Sequence, residues 1–188
     1  MNRFAFLRNL LGASLLPALT LARPAAAAPT TDLATEAQRV RRELLEAWKM
    51  SEKMTLTTAA QMPADDFGFK YTPEAMTYAE QWKHCCTFTT GQVAGHLGLE
   101  DPYKTRKLPK EMTKQEVLDE LKTMYAFVRQ TIETMPDAKL FEKDDYVGDQ
   151  IPNWRLFYAL ENHIIHHRGQ CMVYVRLKGV TPSGYLGW

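Results

Sequence analysis

Four long segments of the sequence carry apolar residues at steps of three and four, which is the spacing of one face of an α-helix. They span residues 33–60, 72–97, 113–135 and 153–178. At 1.5 Å per residue each helix would be about 35 to 42 Å long, which suits a four-helix bundle. Nothing between the segments has the pattern of a strand-rich region. The sequence therefore predicts an all-α four-helix bundle.

Helix-terminal residues mark where these segments begin and end. Thr72 is followed by Pro73, which is favoured at the first helical position, and Thr113 and Glu116 have the spacing of a capping box. Gly179 is the expected C-cap of the last helix. The connections of about ten to seventeen residues are longer than an up-and-down bundle needs. We therefore expect at least one long crossover connection.

Residues 1–28 have the pattern of a secretory signal peptide. Two arginines lie beside an apolar run over residues 10–21, and residues 25–28 are alanines suited to cleavage. Residues 29–188 would then form a single mature domain of an exported protein, periplasmic or extracellular, and the alternative is a retained N-terminal anchor. No later segment reaches about 18 uncharged apolar residues, so we expect no transmembrane helix in the mature chain.

The charge balance argues against nucleic-acid binding. The chain has 23 basic and 22 acidic residues, and removal of residues 1–28 takes away Arg3, Arg8 and Arg23 but no acidic residue, which leaves 20 against 22. Proteins that neutralise many phosphates need a basic surface, and no basic stripe interleaved with aromatic residues is present in the sequence. We therefore expect no nucleic-acid partner.

Three histidines have the spacing of a metal site. His163 and His167 are four residues apart, so they project from one face of the last predicted helix, and His84 lies in the second. Three imidazoles with a vacant fourth position form a site in which a metal ion can activate water or substrate. We expect a divalent ion, zinc by default, with nickel or iron as alternatives. The alternative is that His163 and His167 are ordinary hydrogen-bonded residues of the helix.

Glu80 is the candidate catalytic proton carrier because it precedes His84 by one helical turn. Asp149 is an alternative carboxylate from a loop, and Glu80 can equally be a solvated surface residue. A zincin-type protease would need glutamate directly after His163, where Ile164 stands. The sequence therefore disfavours a metalloprotease.

The remaining metal-binding side chains are weaker candidates. Cys171 follows the histidine pair on the same stripe, and it could touch the metal, pair with Cys85 or Cys86 in an oxidising compartment, or fill the core. His96 is twelve residues beyond the second-helix histidine, about 18 Å along the helix, so one ion cannot use both. His166 would line the pocket edge or face solvent.

Three stretches of the sequence carry a family resemblance. They are MTYAEQWKH, HIIHHRGQ and VYVRLKGVTPSGYLGW. Over about residues 33–188 the chain resembles the DinB/YfiT-like family of small four-helix metal proteins. In that family a histidine of the second helix and a histidine pair of the last helix bind a divalent metal, which implies His84, His163 and His167 as ligands here. Resembling proteins often form homodimers, so we expect a homodimer.

Arg168, Gly169 and Gln170 complete the family-like run after the histidine pair. Glycine inside a helix costs about 1 kcal/mol relative to alanine, so we expect Gly169 to permit close helix packing. Arg168 would bind an anionic substrate or pair with an acidic residue, and Gln170 would hydrogen-bond in the pocket. Roles at the surface or between helices are the alternatives for both.

Together these features predict an exported DinB-like divalent-metal-binding protein that acts as a metal-dependent hydrolase or transferase on a small molecule. The resemblance leaves a thiol-dependent S-transferase as an alternative, although export from the reducing cytoplasm weighs against it. A non-catalytic metal-binding or stress-associated module is another alternative, and closure of the fourth position by Cys171 would favour it. A metal-free helical interaction protein would retain no ion on purification.

Overall fold

The computed structural model describes residues 32–184, and these residues form a four-helix bundle with short additions. The long helices are α1 (Leu33–Gln61), α2 (Tyr78–Leu97), α4 (Lys114–Thr134) and α6 (Asn153–Leu177). Two short helices, α3 (Pro102–Thr105) and α5 (Asp137–Phe141), lie in the connections. The predicted bundle is confirmed. The predicted signal peptide lies outside the described residues.

Long connections carry the chain across the diagonals of the bundle. The helix α1 packs mainly against α4 and α6, and α2 packs mainly against the same two helices. Hence α1 and α2 occupy one diagonal, and α4 and α6 occupy the other. The connections over residues 62–77 and 135–152 therefore each join helices that are not neighbours. This arrangement confirms the predicted crossover, and it places α2 beside α6.

A short β-hairpin in the last connection was not predicted. Its strands β1 (Lys143–Tyr146) and β2 (Asp149–Pro152) pair antiparallel. The two turn residues Val147 and Gly148 have φ values of 57° and 88°, the signs required by a two-residue hairpin turn. Four-residue strands with three aspartates among them lack an alternating apolar pattern, so periodicity did not predict these strands.

The predicted beginning of the second helix is wrong. The helix starts at Tyr78, and Thr77 is its N-cap instead of Thr72. The Glu80 amide donates to Thr77 Oγ1 at 3.1 Å, and the Thr77 amide donates to Glu80 Oε2 at 2.7 Å. This capping box stops the helix from extending towards Pro73, because the amide and the hydroxyl oxygen of Thr77 are both bonded to Glu80 at the helix end. The predicted Thr113–Glu116 box of α4 is confirmed.

Aromatic side chains fill the centre of the bundle. Trp48 of α1 makes edge contacts with Tyr125 and Phe157, with ring centroids 5.7 and 6.5 Å apart. The buried Tyr125 hydroxyl lies 2.8 Å from Thr55 Oγ1, which also accepts a hydrogen bond from Arg168 at 3.2 Å. Arg168 therefore links α6 to α1. The expectation that it pairs with an acidic residue is not met among the described residues.

No helix among residues 32–184 combines the length and the apolar character required to cross a membrane.

The packing expectation for Gly169 is wrong. A Cβ added there would meet nothing within 4 Å, and the residue is exposed. Its absent side chain therefore serves no close contact inside the described bundle.

The two candidate caps of α2 can be separated by mutation. Thr77→Ala should lower the free energy of unfolding by about 1 kcal/mol because it removes an N-cap acceptor. Thr72→Ala is the matched control and should change it by less than about 0.5 kcal/mol, since Thr72 is exposed. Urea unfolding followed by circular dichroism measures both. Equal destabilisation by the two variants would contradict the observed helix start.

Candidate metal centre

Three histidine rings from α2 and α6 meet at the interface of these helices. His84 Nε2 lies 3.2 Å from His163 Nε2, which lies 3.1 Å from His167 Nε2. One ring nitrogen of each histidine is within 4.8 Å of the others. The helical spacing brings two of the rings together, and the packing of α2 against α6 adds the third. The structure thus contains the predicted convergence.

The nitrogen separations fit a single metal ion. Zinc binds imidazole nitrogen at about 2.0 to 2.1 Å, so ligands at the corners of a tetrahedron lie about 3.3 Å apart. The observed 3.1 and 3.2 Å are close to that value. In addition, His163 Nδ1 is buried with no hydrogen-bond partner among the described residues, so the polar contacts of this ring are made through Nε2. The three histidines can therefore hold a divalent ion.

Burial keeps the three imidazoles neutral. It lowers the pKa of His84 and of His163, and the neighbouring His84 and His166 lower that of His163 further. The pKa of His167 is lowered to about 4, mainly by burial and further by the neighbouring His163, His84 and His166. At neutral pH each ring consequently has a free lone pair for a cation, as metal binding requires.

Gln81 is a site residue that the sequence analysis missed. The His167 Nδ1–H donates to Gln81 Oε1, and this bond leaves His167 Nε2 as the nitrogen without a proton. Gln81 Nε2 in turn donates to Gln170 Oε1 at 3.0 Å, so Gln170 acts between helices. Gln81 is buried. Its position three residues before His84, on the same helix face, was the available signal.

Of the three histidines, His84 lines an open cleft of about 420 Å³. The cleft is lined by Glu74, Ala75, Met76, Glu80, Lys83, His84 and Thr87. Phe88 covers another side, with its ring centroid 4.3 Å from that of His163. Glu80 Oε2 is used in the capping box, and no hydrogen bond within the described chain engages Oε1. The catalytic role of Glu80 stays a prediction.

Other candidate side chains lie apart from the cluster. Asp149 lines a separate cleft between the hairpin and α6. His96 Nδ1 lies 2.8 Å from Asp144 Oδ2, so its partner is a hairpin carboxylate. His166 is exposed and hydrogen-bonded to Gln170. None of these residues belongs to the metal-ligand group found within residues 32–184.

The three cysteines fill the core. Cys85, Cys86 and Cys171 are buried and free, and Cys171 is not a member of the histidine group. Burial raises the pKa of all three thiols, that of Cys85 to about 12. Of the alternatives raised by the sequence, core packing is therefore the one that the structure shows.

Removal of the acceptor on His167 should weaken metal binding. Gln81→Leu leaves the ring free to adopt the other tautomer, so we expect a 10- to 100-fold loss of zinc affinity in a competition titration with a chelator. Gln81→Glu keeps an acceptor at this position and should retain more affinity than the leucine variant. Unchanged affinity in Gln81→Leu would show that this hydrogen bond does not orient the ligand.

The stability of the metal-free protein should depend on pH through the same histidines. In the folded state the pKa of His167 is lowered from 6.5 to about 4, so unfolding takes up protons. The stabilisation is complete above pH about 6.5 and is lost as the pH falls towards 4. Denaturant unfolding in the presence of a chelator should therefore show a flatter profile for His163→Ala/His167→Ala. Identical profiles would contradict the lowered pKa values.

Comparison with known proteins agrees with this architecture. The sequence model of the DinB family matches residues 32–186. The Bacillus subtilis (strain 168) protein YrdA is 39% identical over 62 residues, which cover 33% of this chain and only 37% of that relative.

Two solved structures share the fold. A DinB-like protein of Bacillus subtilis, YjoA, has a TM-score of 0.62 and 20% identity, with 76% of this chain and 96% of that chain covered. A DinB-like protein of Bacillus cereus ATCC 10987 has a TM-score of 0.63 and 23% identity, with 76% and 95% covered. Because the family model matches nearly the whole described region, the chain belongs to the DinB family.

Proposed function

We propose that this protein is an exported, metal-dependent enzyme that hydrolyses a small molecule or transfers a group from it. The observation that supports this proposal is the convergence of three neutral imidazole nitrogens, with one of the three residues, His84, lining an open cleft. A divalent ion bound there would act as a Lewis acid towards substrate or water. Zinc is the proposed ion because imidazole donors suit it, and nickel or iron are alternatives.

The chain's own residues have separate tasks in this proposal. His84, His163 and His167 hold the ion, and Gln81 keeps His167 in the tautomer that presents Nε2. Phe88 shields the rings from water on one side. Glu80 is the proposed proton carrier, since its carboxylate lines the same cleft as His84. Its Oε1 would accept the proton while Oε2 stays bonded to the amide of Thr77.

Export rests on the leader pattern over residues 1–28. The proposed protein would act in the periplasm or outside the cell, on a small-molecule substrate and without a nucleic-acid partner. The nearly balanced charge of the chain supports the last point.

A second candidate is a metal-binding module without turnover. The capping role of Glu80 favours it, because the carboxylate beside His84 is already used to hold the start of α2. Such a module would use the ion to tie α2 to α6.

Metal content tests the proposed ligands. Protein purified without a polyhistidine tag should contain about one divalent ion per chain by elemental analysis, as a single three-histidine site predicts. The His163→Ala/His167→Ala variant should contain none. His96→Ala and His166→Ala are matched controls and should retain the ion, since both rings lie outside the cluster. A full complement of metal in the double variant would reject these ligands.

The open position separates an enzyme from a closed metal module. In the cobalt-substituted protein, added azide should change the visible absorption spectrum because an exchangeable ligand position is available. A spectrum insensitive to azide would favour the module without turnover.

Glu80→Gln should retain the helix cap, since glutamine also serves in a capping box, while a screen for hydrolase and transferase activity should show a loss of rate.

A further inference from the structure

A second cleft lies beside the one that His84 lines. Its volume is about 710 Å³, and it is bounded by the connection before α2 and by the residues that lead into α4. We call it the apolar cleft, because Phe67, Ala79 and Met112 line it and each of these side chains belongs to the buried core. None of the three clustered histidines lines it. The proposed metal ligands therefore leave this space unused.

Polar groups in the wall of the apolar cleft are already bonded within the described chain. The hydroxyls of Thr77 and Thr113 each accept the hydrogen bond of their own capping box. The ammonium of Lys114 donates to two carbonyl oxygens at the end of α1, at 2.5 and 2.9 Å. Three further lining residues are charged, exposed and so solvated by water, namely Asp65, Lys110 and Glu111. A ligand in this cleft would therefore be held mainly by burial of apolar surface.

The apolar cleft and the His84 cleft share the first turns of α2. Glu80 lines both of them. Thr77, Glu80 and His84 follow one another at steps of three and four, so they lie on one helix face, with Thr77 about 10 Å from His84 along the axis. Lys83 of the His84 cleft donates to the carbonyl oxygen of Pro109 at 2.6 Å, directly before the loop that walls the apolar cleft. A molecule bound at His84 can therefore extend along α2 into the apolar cleft.

The wall of the apolar cleft is held in place by the bundle itself. The Ala79 amide donates to the carbonyl oxygen of Phe67 at 2.9 Å, which fixes the connection against the start of α2. The Phe67 ring makes an edge contact with Tyr78, with ring centroids 5.1 Å apart. Apolar space that is formed before a ligand arrives costs little ordering on binding. This cleft thus has the properties of a preformed subsite.

We propose that the substrate of the metal centre is amphipathic, with a polar head group that binds at the ion and an unbranched apolar chain that lies in the apolar cleft. The inference rests on the proposed function for the head group, whereas the cleft itself does not involve the metal. Glu80 stands at the junction of the two clefts, so its carboxylate would lie beside the point where chain and head group meet. That is where a proton carrier is required.

Chain length tests the inference. Acetohydroxamate, butyrohydroxamate and octanohydroxamate share a metal-binding head group, and their binding to the cobalt-substituted protein can be followed in its visible spectrum. Affinity should rise about threefold to fourfold for each methylene group that enters the apolar cleft, because each one is removed from water. Equal affinities for the three hydroxamates would overturn the inference.

Gly68→Leu blocks the apolar cleft, and Gly95→Leu is the matched control. Both glycines are exposed, neither has a positive φ, and an added Cβ would meet nothing within 4 Å at either position. Of the two, only Gly68 lines the cleft. Gly68→Leu should therefore abolish the dependence on chain length and leave the affinity for acetohydroxamate unchanged, whereas Gly95→Leu should behave as the wild type does. A full chain-length effect in Gly68→Leu would place the chain elsewhere and reject the proposal.

Nile red, an uncharged apolar dye, separates failure of this inference from failure of the proposed metal centre. Its fluorescence should rise with the metal-free His163→Ala/His167→Ala variant, since neither altered residue lines the apolar cleft. Octanohydroxamate should displace the dye and acetohydroxamate should not, and addition of Gly68→Leu should remove the signal. Absence of displacement would overturn the inference even in a protein that binds metal. Displacement from a wild type that binds no metal would reject the metal centre and support the cleft.

Discussion

The packing of α2 against α6 is the contact on which the candidate site depends. It brings a histidine from one helix to a histidine pair on another, and it buries His167 and half-buries His84 and His163. Buried polar groups are costly unless they are bonded. Gln81 offsets part of that cost by accepting a hydrogen bond from His167, and the three Nε2 atoms face one another at the spacing of metal ligands. The same burial removes their protons, which is the state that a cation needs.

The connections make this contact possible. Because α1 and α2 lie on a diagonal, the chain after Gln61 must cross the end of the bundle before α2 can start. Residues 67 and 69 of that crossing accept hydrogen bonds from the amides of Ala79 and Tyr78, and Thr77 with Glu80 closes the first turn. The start of α2 is thereby fixed by a loop as well as by a cap. His84 follows less than two turns later, so its position is tied to this junction.

Much of the fold was accessible from the sequence because local signals agreed. Helices α1, α4 and α6 begin and end within about two residues of their predicted bounds, since apolar periodicity and terminal residues point to the same places. The start of α2 was mistaken because Thr72–Pro73 and Thr77–Glu80 are both reasonable helix starts in isolation. The hairpin was missed because its strands are short and polar. Gly169 was misread because a glycine's neighbours are not visible in one sequence.

The sequence by itself determined the helical class and the pairing of His163 with His167, because these follow from periodicity within a helix, whereas His84 as the third histidine was implied by the family resemblance. Only the tertiary structure decided that Gln81 orients a ligand, that the cysteines stay in the core and that Arg168 reaches Thr55. Those outcomes depend on which helices are neighbours across the bundle. Side-chain contacts between helices far apart in the chain are set by packing, which no local pattern encodes.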